Sequence, residues 1–297
     1  MTAIGFIGLG NMGGPMAANL AKAGHDVRGF DLVAASCEQA RANGVAIATD
    51  AEACVRERAV VVTMLPAGEH VLAVHRAILP AMPRGALLID CSTIDVASAR
   101  MAHALAEETG LSSLDAPVSG GVAGAVAASL TFMAGGSDDA FATAEPILAA
   151  MGRRAVHCGP GGAGQAAKIC NNMLLGISMI GACEAFALAS RLGLDAQKLF
   201  DVVSTSSGSC WSVNTYCPVP GVGPESPADN GYRPGFAAAL MLKDLKLAQQ
   251  AAAEVAAATP LGAAACALYE AMVEGGEGAR DFSAMLPRLA RAARGES

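Results

Sequence analysis

The chain is poor in aromatic residues and in charge. Of its 297 residues only 4% are Phe, Trp or Tyr, with a single tryptophan, and 16% are charged, against 53% hydrophobic. That balance excludes a disordered chain, because the apolar content suffices for a core, and the length suits two domains. The net charge is −7 and no Lys- or Arg-rich run occurs, so no basic face is available for nucleic-acid phosphates and no nucleic-acid partner is expected. Nine cysteines are present, an odd number, scattered, without a CxxC pair or a Cys/His cluster at zinc spacing. They read as reduced thiols, with no metal and no disulfide framework expected. A GxSxG elbow, an HExxH helix and a P-loop are all absent from the sequence. The longest apolar run, around Met173 to Cys183, falls short of the roughly 20 residues of a bilayer span. The first strand begins within a few residues of Met1, which leaves no room for a basic leader, so a cytoplasmic chain with no membrane partner is expected.

The first half alternates short aliphatic runs with Ala-rich segments, as repeated βαβ units around a mostly parallel sheet do. Strands are expected over Ile4–Leu9, Asp26–Asp31, Val60–Leu65, Leu87–Cys91, Leu114–Val118, Leu130–Ala134 and Val156–Cys158. Helices are expected near Met12–Ala23, Ala34–Asn43, Glu69–Leu79, Val96–Glu108 and Ala140–Met151. After "HCGPGGAG" the strand pattern stops. One long helix over Ala163–Arg191 is followed by helical patterns at Ala196–Ser204, Ala237–Ala257, Leu261–Val273 and Phe282–Ala293. The fold class is therefore an α/β Rossmann-type dinucleotide-binding domain at 1–162, then an all-α domain at 163–297. Between helices lies a Gly/Pro-rich segment, "GSCWSVNTYCPVPGVGPESPADNGYRPGF", whose aromatics favour an ordered loop.

"IGFIGLGNMGGPM" places Gly8, Gly10 and Gly13 at GxGxxG spacing between a strand and a helix, with Leu9, Asn11 and Met12 filling the turn. Such glycines permit the tight turn, the close approach of backbone to a pyrophosphate, and close helix–strand packing, and the helix N-terminus faces the anion. Asp31 follows Gly13 by 18 residues at the end of the next strand, where a carboxylate accepts from an adenosine ribose and repels a 2′-phosphate, so NAD is the expected cofactor. The plainer alternative is a turn or N-cap aspartate. Arg28 sits on the opposite face of that strand by alternation. The later strand ends "TMLPA", with Met64, Leu65 and Pro66, and "CSTID", with Ser92 and Thr93, fall where open α/β sheets meet a cofactor, or are simple turns.

"LDAPVSGGVAGA" offers the Ser119 hydroxyl and the side-chain-free backbone of Gly120 and Gly121, a turn able to hold a carboxylate, or an ordinary loop. On a helix starting near Ala163, Gly164, Lys168 and Asn172 share one face at i, i+4 and i+8, while Asn171 lies to one side. A desolvated lysine readily exchanges protons near neutral pH; a lysine at an exposed helix start is the alternative. Of the five histidines, His25 falls in a turn, His70, His75 and His103 on expected helices and His157 on a strand near the domain boundary, and none is expected to take the acid–base role.

With these residues the sequence resembles the β-hydroxyacid dehydrogenases, and within them the 3-hydroxyisobutyrate branch. The resemblance runs over nearly the whole chain, through "GFIGLGNMG", "DAPVSGG", "GAGQAAKICNN", "SCWSVNTYCPVPGV" and "LMLKDLKLA". It implies NAD-dependent oxidation of 3-hydroxyisobutyrate to methylmalonate semialdehyde, as in valine catabolism. It further implies Gly8, Gly10, Gly13, Asp31, Leu65, Pro66 and Thr93 around the cofactor and Ser119, Gly120 and Gly121 at the substrate carboxylate. Lys168 matches the family's catalytic lysine, Asn172 its hydrogen-bonding neighbour, and Lys243 a lysine reaching cofactor or substrate. A homodimer or homotetramer is implied as well. L-serine or D-glycerate (tartronate semialdehyde) chemistry, and a catalytically silent nucleotide-binding module, are the alternatives; the segment "VGPESPADNGYRPGF" departs most from the family pattern.

Overall fold

The structure is a computed structural model and describes residues 1–292. It divides into two compact units, Met1–Lys168 and Ile169 onward.

The first unit runs β1 (Ala3–Ile7), α1 (Gly13–Lys22), β2 (Asp26–Phe30), α2 (Ala34–Ala42), β3 (Ala46–Ile47), α3 (Ala51–Val55), β4 (Val60–Thr63), α4 (Gly68–Ile78), β5 (Leu87–Asp90) and α5 (Val96–Glu108). It continues with β6 (Ser112–Asp115), β7 (Val118–Ser119), α6 (Gly121–Val126), β8 (Leu130–Gly136), α7 (Asp138–Ala149), β9 (Gly152–Gly159) and the start of α8 (Ala163–Arg191). The first six strands are parallel in the order β3-β2-β1-β4-β5-β6, the doubly wound arrangement that reverses direction between β1 and β4. Strands β4 and β5 are buried at every residue, as central parallel strands covered on both faces require. Alternation sends Ile4, Phe6, Val60, Val62 and Ile89 into one core and Ile7, Val61 and Leu88 into the other.

Several sequence expectations shift here. The strand expected over Leu114–Val118 breaks at Ala116–Pro117: β6 ends at Asp115, and β7 pairs antiparallel with β8. Pro117 has no N–H to continue a ladder, so the chain turns there. Consequently the far edge of the sheet is antiparallel at β6–β8 and β7–β8, and parallel again at β8–β9. The short β3 and α3 were not expected at all, because two- and five-residue elements leave no periodicity to read.

The second unit holds the rest of α8, then α9 (Ala196–Val203), α10 (Trp211–Asn214), α11 (Ala238–Glu254), α12 (Pro260–Met272) and α13 (Met285–Ala292). Among the described residues no strand follows β9. The helix expected over Phe282–Ala293 is a 3-10 turn at Phe282–Ala284 followed by α13, and Ala293 lies outside the described residues. Met179, Ile180 and Cys183 of α8 pack with Met241 and Leu245 of α11 and Ala265, Tyr269 and Met272 of α12. Gly176 lets α8 and α11 approach, since a Cβ there would lie 3.2 Å from Leu245 Cδ2.

Helix α8 is 29 residues long and apolar enough, by length and composition alone, to cross a membrane, although the run read from sequence at Met173–Cys183 is too short. A core helix passes the same test, and one face of α8, with Met179, Ile180, Cys183 and Phe186, is buried.

Candidate active site

The glycine turn divides into two kinds of position. Gly8 has φ +95°, and a Cβ there would come within 2.2 Å of the Met64 carbonyl oxygen; one on Gly13 would meet the Gly8 carbonyl oxygen at 1.9 Å. Both glycines are required by the protein's own packing, which presses the end of β1 against the end of β4 and the start of α1. A Cβ on Gly10 would meet nothing within 4 Å, so the absence of a side chain there serves no internal contact. Gly10 and Asn11 are exposed, Leu9 is buried and Met12 is half-buried. Asp31 is fixed at this turn: its Oδ2 accepts the Leu9 N–H at 2.7 Å and its Oδ1 the Val33 N–H at 2.8 Å. An ionised carboxylate keeps further lone pairs for ribose hydroxyls. A recess of about 340 Å³ opens beside it, lined by Leu32, Cys37, Arg41 and Thr49 among others. Arg28 turns away, donating to the Ala53 carbonyl at 2.8 Å. These residues fit the adenosine half of a dinucleotide.

The loops after β4 and β5 are joined by a buried polar network. Asp90 Oδ1 accepts from the Thr63 hydroxyl at 2.7 Å and the Ser92 hydroxyl at 2.6 Å, and Ser92 Oγ accepts the Leu65 N–H at 2.8 Å. His75 Nε2 lies 3.2 Å from the Thr63 hydroxyl, and burial lowers its pKa, so the ring is held neutral. Met64 and Leu65 are half-buried, Pro66 is exposed, and Thr93 is half-buried immediately after Ser92.

A second network fixes the start of α8. Asp115, fully buried, accepts the N–H groups of Gly162 at 2.8 Å and Gln165 at 2.9 Å and bonds His103 Nε2 at 2.8 Å, whose Nδ1 lies 2.7 Å from the Ser113 hydroxyl. A carboxylate on the first N–H groups of a helix satisfies orphan donors and suits the helix dipole. Gly164 packs directly on the sheet: a Cβ there would meet the Met133 carbonyl oxygen at 2.2 Å. In the second turn of the helix, Lys168 is 7% exposed, which removes the solvent-facing alternative. Asn172 is buried and Asn171 exposed, as helical spacing separates them.

Within the second unit, Asn172 Nδ2 donates to Asp244, a buried residue of α11, and Asn171 donates to Asn172 Oδ1 at 2.9 Å. Lys243 precedes Asp244 and is half-buried; burial lowers its pKa while Asp244 opposes that shift. The 208–236 segment is ordered as expected, through a core of Val213, Cys217 and Val222 against Phe186 and through Asp281. Asp281 Oδ2 accepts from the Tyr216 hydroxyl at 2.9 Å, Gly235 N–H at 2.9 Å and Phe236 N–H at 3.0 Å, and Oδ1 from the Ser283 hydroxyl at 2.6 Å. Burial and Asp281 together push the Tyr216 pKa up, and Trp211, half exposed, stacks on Tyr216 at 4.7 Å.

The turn at Ser119–Gly121 stands apart from the glycine turn: in sheet order, β4, β5, β6 and β8 separate β7 from β1. Ser119 ends β7, and Gly120, at φ +133°, leads into α6. Sequence reading overlooked Asp115, Gln165 and Asp244. Asp115 stands in the quoted "DAPVSGG", and its partners come 47 and 50 residues later, a separation no local pattern reports. Histidines do meet carboxylates here: His25 and His70 adjoin Asp26 and Glu69 in sequence, and in space His103 Nε2 lies 2.8 Å from Asp115 and His157 Nδ1 3.3 Å from Asp138.

Comparison with known proteins agrees with this architecture. Residues 3–159 match the family model described as the NAD binding domain of 6-phosphogluconate dehydrogenase, and residues 162–289 that described as NAD-binding of NADP-dependent 3-hydroxyisobutyrate dehydrogenase. A probable 3-hydroxyisobutyrate dehydrogenase of Mycobacterium tuberculosis is 52% identical over 97% of this chain and 98% of its own. An NAD-dependent L-serine dehydrogenase of Pseudomonas aeruginosa is 48% identical over 95% of this chain and 96% of its own. The solved structure of Mycobacterium tuberculosis 3-hydroxyisobutyrate dehydrogenase with L-serine superposes with a TM-score of 0.94 at 52% identity, covering 97% of this chain and 99% of that one. The chain belongs to the 3-hydroxyisobutyrate dehydrogenase family, NAD-binding oxidoreductases in which a Rossmann-type domain is followed by a helical one.

Proposed function

We propose that this protein oxidises 3-hydroxyisobutyrate to methylmalonate semialdehyde with NAD⁺. Residues 1–162 serve the cofactor, through Gly8–Gly13, Asp31, Met64–Pro66 and Thr93, and residues 163–297 serve substrate and oligomer formation. The bound nicotinamide supplies the hydride acceptor for the substrate carbinol carbon. Ser119, Gly120 and Gly121 hold the substrate carboxylate with a hydroxyl and backbone N–H groups. Lys168, as the neutral amine, takes the hydroxyl proton while the C–H bond gives up its hydride, so the carbonyl forms with charge balanced. Asn172 orients Lys168 or the hydroxyl and is itself steadied by Asp244, and Lys243 adds a positive charge for the anionic ligands of an acidic protein.

The observation that carries the reading is the burial of Lys168 on a helix start that Asp115 holds and that Gln165 ties to the loop after β5 of a dinucleotide fold. An ammonium placed there for solubility would be exposed. A second reading, L-serine as substrate, is favoured by the serine dehydrogenase relative and by the L-serine in the related structure. Asp31 favours NAD, whereas Arg41 in the adjoining recess is a positive group near the ribose. NADH or NADPH formation by the purified protein, over 3-hydroxyisobutyrate, L-serine and D-glycerate with each cofactor, is the test. The highest kcat/KM is expected for 3-hydroxyisobutyrate with NAD⁺; tight NADH binding without turnover on any hydroxyacid would contradict enzymatic function. A homodimer or homotetramer working in the cytoplasm on a small hydroxyacid, without nucleic acid or membrane, completes the reading.

A further inference from the structure

We propose that Gln165 is a positioning residue that holds the Ser92–Ile94 loop, and Thr93 with it, in register with Lys168. The inference rests on the acid–base role of Lys168 and extends it to a residue outside the assigned site.

Gln165 is fully buried. Its carboxamide is inserted between two main-chain groups: Oε1 accepts the Ile94 N–H at 3.1 Å and Nε2 donates to the Ser92 carbonyl at 2.7 Å. Those two groups flank Thr93. Ser92 is also the residue whose hydroxyl accepts the Leu65 N–H, so one side chain on α8 reaches, through Ser92, both loops that follow the central strands β4 and β5. Leucine or methionine would fill the same volume without the cost of desolvating an amide, so packing alone does not call for glutamine. What the amide adds is a fixed distance between loop and helix.

Lys168 lies three residues on, about 4.5 Å along the helix axis and on the same side of it, so a shift of the first turn is passed to its side chain. The helix start does not depend on the Gln165 side chain for its own shape. Asp115 holds the Gly162 and Gln165 N–H groups, and Gly164 is seated on the Met133 carbonyl. Removing the carboxamide therefore leaves the turn folded and releases the loop.

The test is a double-mutant cycle with Gln165→Leu and Lys168→Met, reading kcat per NADH-binding site, the NADH Kd by fluorescence, and Tm. Gln165→Leu is expected to lower kcat per site roughly 10- to 100-fold, the scale of a misplacement of about 1 Å, and to weaken NADH binding severalfold. In the Lys168→Met background the same change should alter kcat less than about twofold, since residues acting as a unit are not additive. Gln165→Glu, which keeps the acceptor for Ile94 and loses the donor for Ser92, should fall between wild type and Gln165→Leu, and it replaces the leucine variant if that one does not fold. Wild-type kcat per site and NADH affinity with only a lowered Tm would reduce Gln165 to a packing role and overturn the proposal. A full additive loss in the Lys168→Met background would overturn it too. If Lys168→Met itself turns over as wild type, the role of Lys168 fails instead, and the two failures are separate.

Discussion

Asp115 in the first unit and Asp281 in the second are both fully buried carboxylates that gather main-chain N–H groups. Their neighbours differ in kind. Asp281 closes a knot on itself, tying Tyr216, Gly235, Phe236 and Ser283 into one corner of a helical core. Asp115 grips the start of the helix that carries Lys168, and the same turn reaches Ser92 and Leu65 through Gln165. The comparison teaches that equal burial and bonding do not mean equal surroundings: one acid ties a helical corner together, the other holds the start of the helix that carries Lys168, the proposed proton acceptor.

Substitution should separate the two. Asp281→Ala strands several buried donors at once and is expected to cost about 3–5 kcal/mol of stability by denaturant titration, with NADH affinity of the folded protein kept within twofold. Asp115→Asn is expected to cost less, about 1–3 kcal/mol, but to lower kcat roughly tenfold or more, because the amide cannot accept from both Gly162 and Gln165 as the carboxylate does. Equal kinetic effects at both positions would erase the distinction.

The same division runs through the glycine turn. Gly13→Ala must displace the Gly8 carbonyl and should cost about 1–3 kcal/mol. Gly10→Ala meets nothing, so stability should stay within about 0.5 kcal/mol while NADH binding weakens. The smallest effect concerns His75. Its folded pKa lies below the ordinary value of 6.5, so the unfolded chain takes up the proton first. This contribution is fully present above pH 6.5 and is lost as pH falls below it, by up to about 1.4 kcal/mol per pH unit, a slope that His75→Gln should flatten.

Much of this was legible in the sequence, for stated reasons. The buried runs of β4 and β5, the strand–GxGxxG–helix order and the 29-residue helix follow from periodicity and glycine placement. The separation of buried Asn172 from exposed Asn171 follows from helical spacing alone. The turn at Ala116–Pro117 and the antiparallel β7 were lost because a proline inside an apolar run was read through. Asp115, Gln165 and Asp244 were lost because their meaning lies in partners 47 to 73 residues away. Sequence spacing registers residues that share a helix face or a turn, and a buried carboxamide bridging two loops leaves no such trace.

The central claim is that Lys168 takes the substrate proton, and the most direct measurement is kcat of Lys168→Met alongside its NADH affinity. A general acid–base residue is worth roughly 10²–10⁴ in rate, so the account expects turnover to fall by that factor with NADH Kd within about twofold of wild type. Wild-type turnover in this variant would contradict it.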